Sequence, residues 1–487
     1  MSCRNHFALI LLTIFIQNDA FSQVFNQQGV YNIITFGAKG DGQNLDSKAI
    51  NKAIETAANA GGGMVYLPAG NYVSGAIHLK SNISLYLDQG ATIIATSEDP
   101  GSVYDQEEQT VNTTYQDSGH SHFHNALIWG EEIHDVSILG PGKIWGKGLI
   151  KDYKKGSKEA NKALVFYKCR NILIRDVTFL HGGWFAILAT GVDNLTIDNL
   201  KMDTNRDGMD IDCCRNVRIS NCSVNSPYDD GICLKSTYAL GFARATENVT
   251  ITNCQVSGYD EGSFLDGTYK REDKEAYRTG RIKFGTESNG GFKNIAISNC
   301  VFDFCHGLAL ETVDGGLLED VTISNITMRD IISAPIFLRL GARMRGPQGT
   351  QVGELRRVSI NDIRVYNADS DQSCIISGIP GHDIKDLQLS NIRIYYKGGG
   401  TVEQAGKQVP ENDKSYPEPS MFGIMPAYGF YFRHVNGLKL RDIEVSFLND
   451  DARPALILND VKGSDMHNIK GQVVKGVAEI KNVNDRH

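Results

Sequence analysis

The sequence predicts an all-β solenoid, a stack of short β-coils, and three observations carry that prediction. Segments that open on asparagine recur at a nearly fixed interval: Asn171, Asn194 and Asn216 begin three of them, 23 and 22 residues apart. Each holds one short strand with apolar residues at every second position, and a repeat of ~20–30 residues built this way describes coils that stack. Fifty glycines against twelve prolines suit many tight corners, and neither collagen nor disorder.

The chain opens on MSCRNH, with one arginine, followed by the ten-residue apolar run FALILLTIFI (7–16). Ala20 and Ser22 suit cleavage before Gln23. Ten apolar residues are too few to span a bilayer, so residues 1–22 read as a secretory signal peptide and residues 23–487 as one long coil domain. No cysteine follows the run to carry a lipid anchor, and no later stretch is long and apolar enough for membrane insertion. An exported protein, periplasmic or extracellular, is expected.

The text YNIITFGAKGDGQN (31–44) reads as a strand and a glycine-rich turn. Asp46 or Ser47 can then cap a short helix whose stripe is Ile50, Ala53, Ile54, Ala57 and Ala58, closed by Gly61. A helix placed before the first coil can cover the open end of the stack. Alternating strands follow in GGGMVYLPAGNY (61–72) and ISLYLDQGATI (83–93). Residues 97–124 are polar and irregular, with His120, His122 and His124 at alternate positions; a loop over a groove is expected there.

The coil rhythm sets in at DVSI (135–138) and continues through NILIRDV, NLTIDNL, NVRISNC and NVTITNC, which start at Asn171, Asn194, Asn216 and Asn248. It resumes at Asn294, Val321, Val358 and Leu387, with a final copy, LKLRDI, from Leu438. Asparagines at the turns can bond neighbouring backbone and stack as a ladder. The Asn-x-Ser/Thr triplets they create, as at Asn248, are by-products of the repeat. Two insertions break the rhythm: the charged stretch 259–281 and the long loop 396–428, which holds YPEP from Tyr416. Long loops in compact domains are often functional. The first leaves the stack one coil after Asp230 and is expected to line a site.

Of ten cysteines, Cys3 belongs to the leader and the remaining nine cannot all pair. Cys222, Cys254 and Cys300 fill one slot in ISNC, ITNC and ISNC, as small residues stacked inside a coil; their spacings of 32 and 46 match no zinc pattern. Neither a metal site nor a cofactor is expected. The net charge of −8 argues against nucleic acid as a partner, and an acidic polymer would need a local basic patch.

The chemistry concentrates in NRDGMDID (205–212) and PYDDGICLK (227–235). Asp207 and Asp229 are 22 residues apart, so Asp207 should lie over Asp229 and Asp230 at roughly the 4.8 Å strand spacing. Like charges that close should raise at least one pKa, which is what an acid/base hydrolase needs. Asp210 and Asp212 read as packing or supporting residues.

These residues resemble those of the polygalacturonase-type glycoside hydrolases (family 28), which are right-handed parallel β-helices. The resemblance rests on Gly61 to Tyr72, SNISLYLDQGAT from Ser81, SILGPGKI from Ser137 and the aspartate coils, and it runs from about residue 31 to about residue 330. It implies that Asp229 is the general acid and that Asp207 and Asp230 activate the attacking water, with inversion. An inverting pair stands roughly 6.5–9.5 Å apart.

The sequence departs from the family in two places. Where a Gly-His-Gly is expected it reads SGYDEG (257–262) or Thr279, Gly280, Arg281, so Tyr259 or Arg281 can stand in for the histidine. Where an Arg-x-Lys is expected it reads Ala309, Leu310, Glu311, while a literal Arg281-Ile282-Lys283 lies a coil early. The substrate-holding groups are therefore rearranged. Candidates are Asn205, Arg206, Lys235, Tyr259, Arg281, Lys283 and Trp184, with Lys270, Arg271, Arg278 and the arginines of FLRLGARMRG (337–346) as further basic groups.

The resulting expectation is a secreted inverting glycoside hydrolase acting on a pectic, uronate-containing polysaccharide or oligosaccharide, exo-acting or directed at rhamnogalacturonan. The alternatives are a calcium-dependent polysaccharide lyase on the same architecture and a non-catalytic carbohydrate-binding β-helix.

Overall fold

The computed structural model describes residues 29–97, 103–106, 108, 114–151, 160–274 and 277–483. The expected leader and its cleavage point lie outside the described residues. Among those described, no helix is long and apolar enough to cross a membrane.

The coil that carries Asp207 shows the plan. Strands Asp193–Asp198, Lys201–Asp203 and Asp207–Asp212 pair in parallel with Arg215–Ser220, Ser223–Asn225 and Ile232–Ser236 one coil further on. Alternation decides what faces inward: Leu195, Ile197, Met202, Met209 and Ile211 are fully buried and stack on Val217, Ile219, Val224, Ile232 and Leu234. Each fully buried aliphatic side chain contributes roughly 1.5–3 kcal/mol of transfer free energy, and the stack repeats this along its length. Parallel pairing runs without interruption from Val30–Asn32 to Ile480–Val483, so the architecture is a parallel β-helix.

The corners are held by the expected asparagine ladder. Asn194 Nδ2 donates to Asn171 Oδ1 at 2.9 Å, Asn216 to Asn194 at 3.2 Å, Asn248 to Asn216 at 3.1 Å and Asn294 to Asn248 at 2.7 Å. All five have φ between 55° and 59°, a left-handed conformation that asparagine tolerates better than most side chains. Cys222, Cys254 and Cys300 are buried and unpaired, and so are the other six described cysteines. The stacked-slot reading accounts for them without disulfides.

The helix Ser47–Asn59 packs on the first strands through Ile50, Ala53, Ile54 and Ala57. Its start differs from the expectation. Asp46 is the N-cap residue, but its carboxylate accepts from Lys39 N (2.7 Å) and Gly40 N (3.0 Å) of the preceding turn, and Ser47 Oγ accepts from Gly75 N at 3.3 Å. Both side chains tie the helix to the first coils and leave its own amides uncapped.

Three long excursions leave the stack at one corner, the one that precedes the strands of a single face. They run between Ala91–Ala95 and Ile128–Glu131, between Gln255–Ser257 and Ile282–Ser288, and between Ile384–Gly398 and Phe430–Asn449. That face contains Asp207–Asp212 and Ile232–Ser236.

Candidate active site

On this face the inward residues of each strand belong to the core, and the outward ones form the floor of a groove under the excursions. The floor includes Asp210, Lys235, Lys283 and Glu311, all buried. Asp207 opens its strand, while Asp229 and Asp230 lie in the turn before Ile232. Met209 pairs with Ile232, an offset of 23, and Gly208 N donates to Asp230 O at 3.0 Å. Asp207 is therefore in register with Asp230 and not with Asp229, because this coil is one residue longer than the 22-residue spacing implies. All three carboxylates still converge: one oxygen of each lies within 4.8 Å of the others.

That is closer than the roughly 6.5–9.5 Å expected of an inverting pair. The 4.8 Å refers to nearest oxygens. Two oxygens at that distance can both accept from one water at about 2.8 Å each in a bent bridge.

The environments of the three differ. Asp230 is almost wholly buried, between Arg281 Nε at 2.8 Å and Lys283 Nζ at 3.3 Å. Burial opposes its ionisation, but the Lys283 and Arg281 charges outweigh burial and hold its carboxyl below the usual range. Asp229 is the most open, with 28% of its side chain exposed, and accepts from Arg206 Nη2 at 2.7 Å. Burial and the neighbouring Asp230 charge raise its pKa, against the pull of Arg206. Asp207 is pushed well above the ordinary range by burial, then by Asp229 and Asp210. The trio thus holds one fixed anion beside two carboxyls that favour protons, one of them facing the groove.

The arginine clamp on Asp229 is itself braced. The Arg206 guanidinium lies 4.8 Å from the Trp184 ring, and that ring stacks on Phe185. Trp184 is half-buried, beside the carboxylates. Asn205 is buried, and its Oδ1 has no partner among the described residues.

Lys235 Nζ pairs with Glu287 at 3.3 Å. Arg343 reaches Glu287 and Asp314, and Arg345 reaches Glu287 and Asp117. Tyr259 is turned elsewhere: its hydroxyl donates to Asp303 and its backbone N–H to Asn225 Oδ1. Arg271 and Arg278 bind Asp330 and Asp260, so most basic groups of the first insertion fold back on their own corner. Lys270 is exposed.

Sequence reasoning missed the groups delivered by distant loops. Glu418 and Tyr416, from the second insertion, reach the floor. Glu418 accepts from both terminal nitrogens of Arg281, at 3.2 Å for Nη1, and Lys283 Nζ lies 3.8 Å from it. The Tyr416 ring lies 5.5 Å from Lys283 Nζ. The YPEP text signalled a long loop but not its target. His120 packs on Phe185 at 4.8 Å and places Nε2 3.2 Å from Asp210, so its loop does lie over the strand face. His306 sits beside Arg281, kept neutral by burial and by that charge, its pKa lowered to about 4. Glu311 is fully buried; burial raises its pKa to about 8 against the opposing pull of Lys283.

A parallel β-helix with three converging carboxylates in one groove is an arrangement that suits carboxylate-catalysed hydrolysis. Residues 30–137 match the family model described as rhamnogalacturonase A/epimerase, pectate lyase-like, and residues 157–271 match that of the right-handed β-helix region. A probable polygalacturonase of Vitis vinifera is 22% identical over 400 residues, covering 75% of this chain and 74% of that protein. An exo-poly-α-D-galacturonosidase of Dickeya chrysanthemi is 25% identical over 280 residues, covering 56% of this chain but 40% of that protein. Among solved structures, a hyperthermoactive exopolygalacturonase from Thermotoga maritima superposes with a TM-score of 0.62 at 20% identity, over 76% of this chain and 88% of that one. The fold is a right-handed parallel β-helix, and the relatives named polygalacturonase support a glycoside hydrolase of that type.

Proposed function

We propose that the protein is an exported inverting hydrolase of galacturonosyl-type linkages in pectic polysaccharides or oligosaccharides, with Asp229 as general acid, Asp230 as the ionised base that activates water and Asp207 holding that same water. One observation carries this reading: three carboxylates within 4.8 Å, of which Asp230 is held ionised while the groove-facing Asp229 favours its proton. Action at chain ends is supported by a bridge across the groove. Asp117, on the loop entering before the groove strands, pairs at 3.2 Å with Arg345, on the loop leaving after Ile336–Leu340.

The same three carboxylates favour a second reading, in which they seat a divalent cation for a lyase. Against it, Asp230 is already paired with Lys283 and Arg281, and Asp229 with Arg206.

The test is release of reducing ends from homogalacturonan, rhamnogalacturonan backbone and short galacturonides, with ultraviolet absorbance followed in parallel and product anomers read by NMR. Hydrolysis with inversion, without absorbance, and reduced about 10²–10⁴-fold in Asp229→Asn is expected. Absorbance that a chelator abolishes would establish the lyase. Retention of configuration would refute the assigned roles.

A further inference from the structure

We propose that Glu418 is a specificity-determining residue: a carboxylate belonging to the protein that fills the Arg281–Lys283 slot, so that the adjoining groove position takes a neutral sugar and rejects a uronate. The inference deepens the pectic reading above and rests on it for the identity of the polymer.

Arg281 has no donor edge left for a ligand. Nε is used by Asp230 at 2.8 Å, and Nη1 and Nη2 are both used by Glu418, the two-point geometry with which a guanidinium holds a carboxylate. Lys283 lies between Asp230 and Glu418, at 3.3 and 3.8 Å. Two fixed cations therefore face two carboxylates, and the Lys283 and Arg281 charges hold both carboxylates ionised against burial. A uronate arriving here would set a third carboxylate against a slot already neutral. A sugar bearing hydroxyls meets no such repulsion and can stack along the half-exposed Tyr416 ring.

Glu418 is built in and does not hang from a free loop. Arg339 and Arg433, both almost wholly buried in the groove floor, donate to the carbonyls of Glu411 and Asn412 and of Val409 and Pro410. Phe422, Met425 and Ala427 pack on Ala309, Phe337 and Ile375. The second insertion is thereby fastened on both sides of Glu418. With 27% of its side chain exposed, the carboxylate sits at the groove surface, where a ligand would compete with it.

The experiment uses the full chain carrying Asp229→Asn, to prevent turnover, with Glu418, Glu418→Gln, Glu418→Ala or Glu418→Asp. D-Galacturonate and D-galactose are titrated by calorimetry, and sodium acetate serves as a sugar-free carboxylate in thermal melts. Removing the charge in the Gln variant, and the whole carboxylate in the Ala variant, is expected to tighten galacturonate roughly tenfold or more and to leave galactose unchanged, and the Ala variant is expected to let acetate raise the Tm. Glu418→Asp, which keeps the charge, is expected to behave as the parent. Galacturonate binding that is equal with and without Glu418, or a Tm that acetate leaves unmoved in Glu418→Ala, overturns the proposal. Glu418→Gln is close to isosteric, so the answer does not hang on the Ala variant folding. If the unmutated chain cleaves no pectic substrate, the proposed function fails while these titrations still report on the slot. Flat titrations with an active enzyme sink only the role given to Glu418.

Discussion

Replacing Glu311 by glutamine should stabilise the protein in alkali and change little in acid. Glu311 is fully buried, neither carboxyl oxygen has a hydrogen-bond partner among the described residues, and its nearest cation, Lys283 Nζ, is 3.8 Å away. Burial dominates and raises the pKa from 4.5 to about 8. Between those values the folded protein keeps a proton that the unfolded chain has released, so the contribution of Glu311 to stability falls as pH rises and levels off above about 8. At 1.36 kcal/mol per pH unit, the full penalty is roughly 4–5 kcal/mol, an upper figure for a group coupled to Lys283 and Glu418. Glutamine mimics the neutral acid and carries no such penalty. Urea unfolding of both proteins at about pH 4 and about pH 9 measures it: near-equal midpoints in acid and a more stable variant in alkali are expected. A stability difference from the parent that is the same at both pH values would show that the fold does not raise the pKa of Glu311, and the reasoning would fail.

Two further outcomes follow from named contacts. Arg206 lowers the pKa of Asp229, so Arg206→Ala should let the acid keep its proton to higher pH and move the alkaline limb of the kcat/KM profile upward. A limb that stays in place or moves down would count against Asp229 as the acid. Asn216→Ala forces alanine to φ 57° and removes two ladder bonds, so a loss of about 1–2 kcal/mol in urea unfolding is expected, with hydrolysis per folded molecule unchanged.

What was legible in the sequence was whatever the repeat imposes. Asn171, Asn194 and Asn216 gave the corners because a ladder needs the same residue on each coil. Asp207, Asp229 and Asp230 gave the acidic centre because one period in sequence is one strand spacing in space. The spacing left both Asp229 and Asp230 beneath Asp207, and the structure selects Asp230, since a single added turn residue shifts the partner without disturbing the rhythm. Arg281 and Lys283 were readable as a clamp lying a coil early, and the structure sets them against Asp230. Tyr259 fits by position along the chain, but its hydroxyl turns to Asp303 on the next coil. Glu418 carries no such signal: it lies 137 residues beyond Arg281, on an insertion that obeys no period. Its destination is set by Arg339 and Arg433, whose guanidinium groups catch backbone carbonyls and so leave no pattern in the loop's own residue types.

The same stacking explains why so many charges survive burial here. A parallel coil places equivalent positions one strand spacing apart, so an acidic residue repeated at one position would repel its copy. Asp207 and Asp230 are such a pair, and Asp230 adds its repulsion to the burial and the Asp229 and Asp210 charges that raise the pKa of Asp207. The next coil carries Arg281 and Lys283 beside Asp230, and the coil after carries Glu311 beside Lys283. Acidic and basic side chains therefore alternate from Asp230 onward: Arg281 and Lys283 offset part of the burial of Asp230, while Glu311 keeps its proton. The chain ends that alternation with a carboxylate from a distant loop, and that choice fixes which sugars the groove can hold.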